Sequence, residues 1–472
     1  MIKITRSQLI DILKENRSVE SLNEIEGFAN MDVSEITGFS GLFNNFHKLK
    51  DISLLSHWNV SNGIIFNEMF YCCYSLEDLS PISSWDVSKG TKFNRMFYKC
   101  GSLRNLEGLS NWNVSNATEM NYMFYECVCL KNLEGLNRWN VANITEFRQT
   151  FSKCISLNEL SALSNWDVSK VTTFNDMFNE CKHLESLEGL SRWNVANATS
   201  FSSMFSCCCS LKNLEGLNRW NLAKCYDLGF MFDACNRLES LSALSEWDVK
   251  NCSRFDHMFG RCMFLKNLEG LNHWDVSNGT NLSNMFDNCE SLEDLRALLG
   301  WDVRNVSSIC EMFAYCGSLK NLEGLNNWKV KKVSKFDNMF CYCGNLEDIS
   351  ALSHWSFSKG ASTSISMYHM FNNCKDLKDI SPLGNWSVSK IRNLEGMFDR
   401  CDSLRDITAL HNWRISKECK ISRMFYDCDV LENIFPLSSW TVHEGFNVKD
   451  FFCNSSSKNT QIEWLNRIIG RW

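Results

Sequence analysis

Twenty-four cysteines and nine histidines are the side chains of this 472-residue chain best suited to metal ligation or nucleophilic attack. Fourteen of the cysteines form one column. It runs from Cys73 and Cys100 through Cys127, Cys154 and Cys181 to Cys401 and Cys428, in steps of 27 residues with a single step of 31. Cys is among the most buried residue types and fills a tight corner as a small hydrophobe. In a stack each thiol has a like neighbour above and below, so no disulfide pairing is singled out. The other ten are Cys72, Cys129, Cys207, Cys209, Cys225, Cys252, Cys310, Cys341, Cys419 and Cys453. Cys207-Cys208-Cys209 and Cys341-Tyr342-Cys343 could hold a soft metal, but a one-residue gap matches the C-x2-C zinc knuckle poorly. Of the histidines, His57, His273 and His354 directly precede a repeated Trp and are expected to face solvent. No HExxH, GxxxxGK[ST] or GxGxxG pattern occurs. The column therefore reads as structural, reduced and free of metal. No cofactor is implied, and a thiol-based metal or redox protein stands as a rival class.

What positions these residues is a repeat. Trp falls at 58, 85, 112, 139, 166, 193, 220, 247, 274, 301, 328 and 355, always 27 apart, then at 386, 413 and 440. Met31, in the context MDVS, stands one period before Trp58. Sixteen copies replace the roughly three domains that length alone suggests. With Trp as position 0, Val sits at +2 (Val60, Val87, Val114), Phe at +12 in every copy, Cys at +15, and Leu or Ile at +18, +21 and +24. Apolar residues recur about every three positions, neither the 3.6 of a helix nor a sustained 2. That suits a coil with short sides and tight corners, which buries its side chains only by stacking on its neighbours. Trp112, Trp139, Phe124, Phe205 and Phe259 are expected in one continuous core.

Local patterns divide the coil. Leu103 to Leu106 reads as a short strand leading into a Gly or Ala turn, and Trp112-Asn113-Val114 as an in-out-in strand followed by a turn at Ser115-Asn116. Glu119 to Cys127 carries apolar residues at helical spacing. LEGL copies interleave with LSAL or LRAL copies, a sign of 54-residue duplication. Residues 1–22 are expected to form an N-terminal cap, with a helix over 5–15 that starts at Thr5 or Ser7. Residues 23–455 form the solenoid, with a four-residue insertion within 358–369 that bulges as a loop. Residues 456–472 form a C-terminal helix or tail.

The unit W-[DN]-V-S-[NK]-x-T-x-[FM]-x-x-M-F-x-x-C-x-S-L-x-x-L-E-G-L resembles the bacterial surface protein repeat, the BspA-like class of leucine-rich repeats. The copies at Trp112 (NWNVSNATEMNYMFYECVCLKNLEGL) and Trp58 (HWNVSNGIIFNEMFYCCYSLEDLSPI) carry it, and the likeness spans about residues 31–455. It implies a leucine-rich-repeat solenoid acting in adhesion or protein binding at a cell surface, without common catalytic residues. The expected fold is thus a leucine-rich-repeat-like α/β coil stack of about 16 coils of 27 residues. One short strand ladder, or two, and short helical or 3-10 turns complete it.

Charge and hydropathy narrow the partners. With 55 Asp and Glu against 48 Lys and Arg, the chain lacks the basic face a nucleic-acid binder needs. No run approaches a membrane-spanning length, so no membrane insertion is expected. The start, MIKITRSQLIDILKENRSVE, shows no secretory h-region, which suggests a cytoplasmic protein or a leaderless route; the family resemblance points to the cell surface instead. The expected partner is a protein, with a host or cell-surface molecule or a glycan among the candidates; a structural spacer is the alternative. Positions −1 and +1 should share an outward face. Column +1 is Asx from Asn59 to Asp302, including Asp167, Asp248, Asp275 and Asp302, residue types that also bond local backbone at turns. Column −1 varies more and holds Arg138, Arg192 and Arg219, with Arg138 one coil before Asp167. These seven are the candidate binding residues.

Overall fold

Backbone hydrogen bonds between successive coils set the architecture. In the coil that starts at Trp58, the N–H groups of Phe66, Glu68, Phe70 and Cys72 donate to the carbonyls of Lys92, Asn94, Met96 and Tyr98 in the next coil, at 2.7–2.9 Å. The same stretch closes on itself: Met69 donates to Phe66, Tyr71 to Glu68 and Cys73 to Phe70. Residues +10 and +14 are left-handed in coil after coil, as at Glu68 (φ 59°), Cys72 (58°), Arg95 (56°) and Lys99 (60°). Tight turns with positive φ at the third residue are of the type II class. This is a computed structural model, and it describes residues 1–357, 364–440 and 451–452.

The expected helix over Glu119 to Cys127 is therefore absent. Tyr122 (61°) and Glu126 (59°) are left-handed, and the N–H groups that a helix would use internally are bonded to the following coil. A left-handed non-glycine residue costs on the order of 1 kcal/mol. Here the neighbouring coils hold it in place by fixing both flanking hydrogen bonds.

Two ladders of parallel bridges run between coils. One lies at +7, through Ile65, Lys92 and Glu119 and through Glu146, Thr173, Ser200 and Asp227; it returns at Arg254, Asn281, Ser308 and Lys335. The other lies at +20, as in Asn267 with Asp294 and Asn321 with Asp348. The second falls in the Leu-x-x-Leu segment, where a strand was expected. The first falls beyond W-x-V. Trp112 and Val114 are buried with Asn113 exposed between them, but the segment has no ladder partner because the chain turns at Ser115. Short 3-10 turns precede many of the Trp residues, for example Glu107–Leu109, Ser161–Leu163 and Arg296–Leu298.

The chain divides into two compact units, residues 1–236 and 237–472, and eight of the sixteen copies begin in each. The first begins with strand β1 (Ile2–Lys3), paired in parallel with β2 (Met31–Asp32), and with helix α1 (Arg6–Glu15). Thr5 and Gln8 form a capping box on α1, and Leu9 and Leu13 are buried. Arg6 donates to the carbonyls of Gly38 and Ser40, both at 2.8 Å. In the second unit β3 (Ile365–Ser366) pairs with β4 (Ile391–Asn393), directly after the inserted segment. Residues 358–363 of the insertion and the expected C-terminal cap at 456–472 lie outside the described residues.

Both units are filled by columns of like residues. Trp112 and Trp139 are 3 % exposed, and the indole N–H groups donate to main-chain carbonyls of the preceding coil: Trp112 to Ile82 at 3.0 Å and Trp139 to Leu109 at 3.1 Å. Phe124, Phe205 and Phe259 are fully buried. Phe205 stacks between Phe178 and Phe232, with centroids 5.7 Å away on either side.

Candidate interaction surface

The thiol column has a polar function that its sequence spacing did not reveal. Each Sγ points at the carbonyl of the Phe in the preceding coil: Cys127 at Phe97 and Cys154 at Phe124, both 3.2 Å, and Cys181 at Phe151, 3.3 Å. That carbonyl already accepts the N–H of the Cys in its own coil, so the thiol meets its second lone pair. Burial pushes these thiols up, Cys154 to about 12, which suppresses the thiolate that nucleophilic or metal chemistry requires. Burial also raises Cys209, whose Sγ lies 3.4 Å from the carbonyl of Cys207. Among the described residues no three His, Cys, Asp or Glu side chains converge as a metal site.

From Trp58 on, columns −1 and +1 are exposed among the described residues, except that Asp302 is half-buried. In the Asx column the side-chain oxygen accepts the backbone N–H two residues on: Asp167 from Ser169 (3.0 Å), Asp248 from Lys250 (3.1 Å), Asp275 from Ser277 (3.0 Å) and Asp302 from Arg304 (3.1 Å). The Ser169 hydroxyl and N–H hold Asp167 below the usual carboxylate range, and Ser277 does the same for Asp275. Asp302 is also paired with Arg304 at 2.6 Å. These carboxylates thus close turns, and in Asp302 the second oxygen is taken by the Arg304 guanidinium. A second stitch runs at +4: Asn62 Nδ2 donates to Ser34 O (2.9 Å), and Lys89 Nζ to Asn62 Oδ1 (2.8 Å). Its coil-to-coil repetition makes most of this face self-satisfied.

The three arginines of column −1 differ from it. Arg138, Arg192 and Arg219 are exposed and make no ion pair among the described residues; Arg138 does not reach Asp167. Arg192 and Arg219 come together at a groove of about 410 Å³ lined by Glu188, Ser191, Glu215, Gly216 and Asn218 as well. Two carboxylates share the groove with the two like-charged guanidinium groups, which offsets their repulsion. Glu215 accepts from Asn218 Nδ2 at 2.9 Å.

One residue decides the shape of this corner. In LEGL copies followed by Ser, the turn is 3-10: Glu107–Leu109 before Ser110 and Glu188–Leu190 before Ser191. In copies followed by Asn, at Asn137, Asn218, Asn272 and Asn326, the Gly is left-handed: Gly135 (102°), Gly216 (103°), Gly270 (104°) and Gly324 (118°). The Asn Oδ1 accepts the Gly N–H at 3.0–3.1 Å in the last three. The Arg192–Arg219 groove lies where a Ser copy meets an Asn copy. The signal was legible in position −2 of the repeat, but only the hydrogen bond gives it meaning.

Comparison with known proteins adds the family. A leucine-rich repeat protein from Bacteroides ovatus is 15% identical at a TM-score of 0.35, with 77% of this chain and 85% of that chain covered. A leucine-rich cell surface protein from Faecalibacterium prausnitzii is 16% identical at 0.34, with 76% and 83% covered. An internalin from Listeria monocytogenes is 12% identical at 0.23, with 94% and 90% covered. No curated protein matches the chain. A family described as Mycoplasma protein of unknown function, DUF285, matches over residues 12–132, 127–241, 208–322, 263–378 and 365–467, and the chain belongs to it.

Proposed function

We propose that this protein is a non-enzymatic scaffold that binds a protein partner through the face beside the Trp column. The observation that carries the reading is the groove at Arg192 and Arg219. It is the place where two of the three candidate arginines meet, on a face where most other polar groups are spent on the coils themselves. Its paired cations and carboxylates suit a partner bearing carboxylates of its own, which guanidinium binds in bidentate fashion. The likeness of the repeat to the BspA-like class supports adhesion at a cell surface. No helix among the described residues is long and apolar enough to cross a membrane.

The test is the double substitution Arg192→Ala with Arg219→Ala in the full chain. Stability should change by no more than about 0.5 kcal/mol, as for surface changes. Capture of the partner by the immobilised protein should weaken and lose its salt dependence. A partner held with unchanged affinity and salt dependence places the site elsewhere, and a chain that captures no protein at all supports the spacer reading.

A further inference from the structure

Position +16 carries His47, Tyr74, Gly101 and Val128 in four successive coils of the first unit. Backbone bonds fix their register: Ser102 N–H donates to Tyr74 O at 3.2 Å, and Cys129 N–H to Gly101 O at 3.3 Å. The His47 and Tyr74 rings stack, with centroids 4.8 Å apart and planes 24° apart. In the neighbouring column at +13 the rings simply continue, Tyr71 on Tyr98 at 4.6 Å and Tyr98 on Tyr125 at 4.7 Å. At +16 the sequence of rings stops at Gly101. No side chain of its own column covers the second face of Tyr74, which is 44 % exposed.

Gly101 is not one of the left-handed glycines, so its backbone does not demand glycine. A Cβ there would meet only Val128 Cγ2, at 3.6 Å, an ordinary contact. What glycine supplies is space. The slot has Tyr74 as one wall, the Gly101 backbone as floor and Val128 as the other wall. Its walls are two coil intervals apart, each about 4.8 Å, which is the place of one ring.

The rim carries two cations, one carboxylate and a thiol. Three residues beyond Tyr74, Gly101 and Val128 stand Glu77, Arg104 and Lys131, all exposed and without an ion pair among the described residues, so that beside Gly101 and Val128 the charge is positive. Lys99, in the Gly101 coil, is paired with Glu126 at 3.3 Å. Cys129, bonded to the Gly101 carbonyl, is the one exposed cysteine among those described.

We propose that this slot takes an aromatic side chain from an acidic polypeptide segment. The incoming ring stacks on Tyr74 where the repeat omits its own, and flanking carboxylates meet Arg104 and Lys131. Stacked aromatic pairs at such separations are favourable beyond their area, and guanidinium prefers carboxylate oxygens. The proposal rests on the scaffold reading above and names one partner chemistry for it.

The test uses the full chain, the capped peptide Glu-Glu-Trp-Glu-Glu and the rate of Cys129 alkylation by N-ethylmaleimide, read by mass spectrometry. Half-buried Cys207 serves as internal control. At saturating peptide, Cys129 should react at least five-fold more slowly while Cys207 is unchanged. Replacing the Trp by Leu should weaken protection about five-fold, and replacing the Glu residues by Lys should remove it. Gly101→Phe, which fills the slot, and Tyr74→Ala, which removes its wall without crowding, should each abolish it. Equal protection by the Leu peptide, equal slowing at Cys207, or protection by maltohexaose in place of the peptide overturns the proposal. So does no protection at all. Partner capture that depends on Arg192 and Arg219 should survive Gly101→Phe, so failure of the slot leaves the scaffold reading standing, whereas loss of capture in the arginine variant alone does not touch the slot.

Discussion

The corner between positions +8 and +15 and the corner between +21 and the next Trp are made by the same chain at the same spacing, yet only the second takes two forms. At the first, Glu, Cys, Arg, Lys, Tyr, Gln, Phe and His all adopt the left-handed conformation that usually belongs to glycine. Three or four hydrogen bonds to the next coil, as from the coils at Trp112 and Trp58, leave the backbone no alternative, so the side chain there is free to vary. At the second, the repeated bonds are local i to i+3 turns, and a single Asn or Ser selects between them. Conformation is dictated by neighbours where neighbours are bonded, and by the local side chain where they are not.

The largest expected effect removes what both corners pack against. Phe205→Ala or Phe259→Ala should cost about 3–5 kcal/mol, since each ring is fully buried in its column. The loss should stay local, as repeat arrays couple only nearest neighbours, so limited proteolysis should cut at the altered coil. An unchanged digest would remove the Phe column from the core.

Next comes Gly216→Ala. Its φ is 103°, and a Cβ would overlap the Leu187 carbonyl oxygen, so a loss of about 2–3 kcal/mol in urea unfolding is expected. Asn218→Ser should cost only about 1 kcal/mol, the worth of the bond to Gly216 N–H, and should convert this corner to the 3-10 form of Glu188–Leu190. Backbone chemical shifts of Gly216 that stay left-handed would show that Asn does not make the choice.

Acid should loosen the second corner before the first. Asp51, at +20, is held down to about 2, chiefly by the Ser21 hydroxyl at 2.6 Å and then by the Ser53 N–H at 2.9 Å, which opens the turn Ser53–His57. A carboxyl depressed on folding stabilises above its ordinary pKa and loses that contribution as pH falls, here from about 4 towards 2. Amide exchange at Leu55 should rise across that window while Phe66 and Phe70 stay protected. The smallest effect should be a gain: Ser203→Gly, at φ 57°, relieves the left-handed cost and should add about 0.5–1 kcal/mol. A loss there would mean that the side chain, not the inter-coil bonding, holds the first corner.

Much of this was legible from spacing alone. The 27-residue period, the buried Trp, Phe and Cys columns and the Leu side follow from which residues recur, because a coil too small for its own core must stack to bury them. The Asx columns also announce turns, since Asn and Asp are suited to bond the backbone two residues on. The helix expected at Glu119 to Cys127 misled because its apolar spacing fits one helical turn as well as two tight turns; only the bonds to the next coil separate them. The ladder at +7 was hidden for the same reason, its residues Ile65, Lys92 and Glu119 sharing no chemistry. The meeting of Arg192 with Glu188 and Glu215, and the uncovered face of Tyr74 beside Gly101, depend on what lies one coil away. A side chain's own type determines whether it is buried, but its partners sit 27 residues off, and register between coils is settled only when the backbone hydrogen bonds of the stack are made.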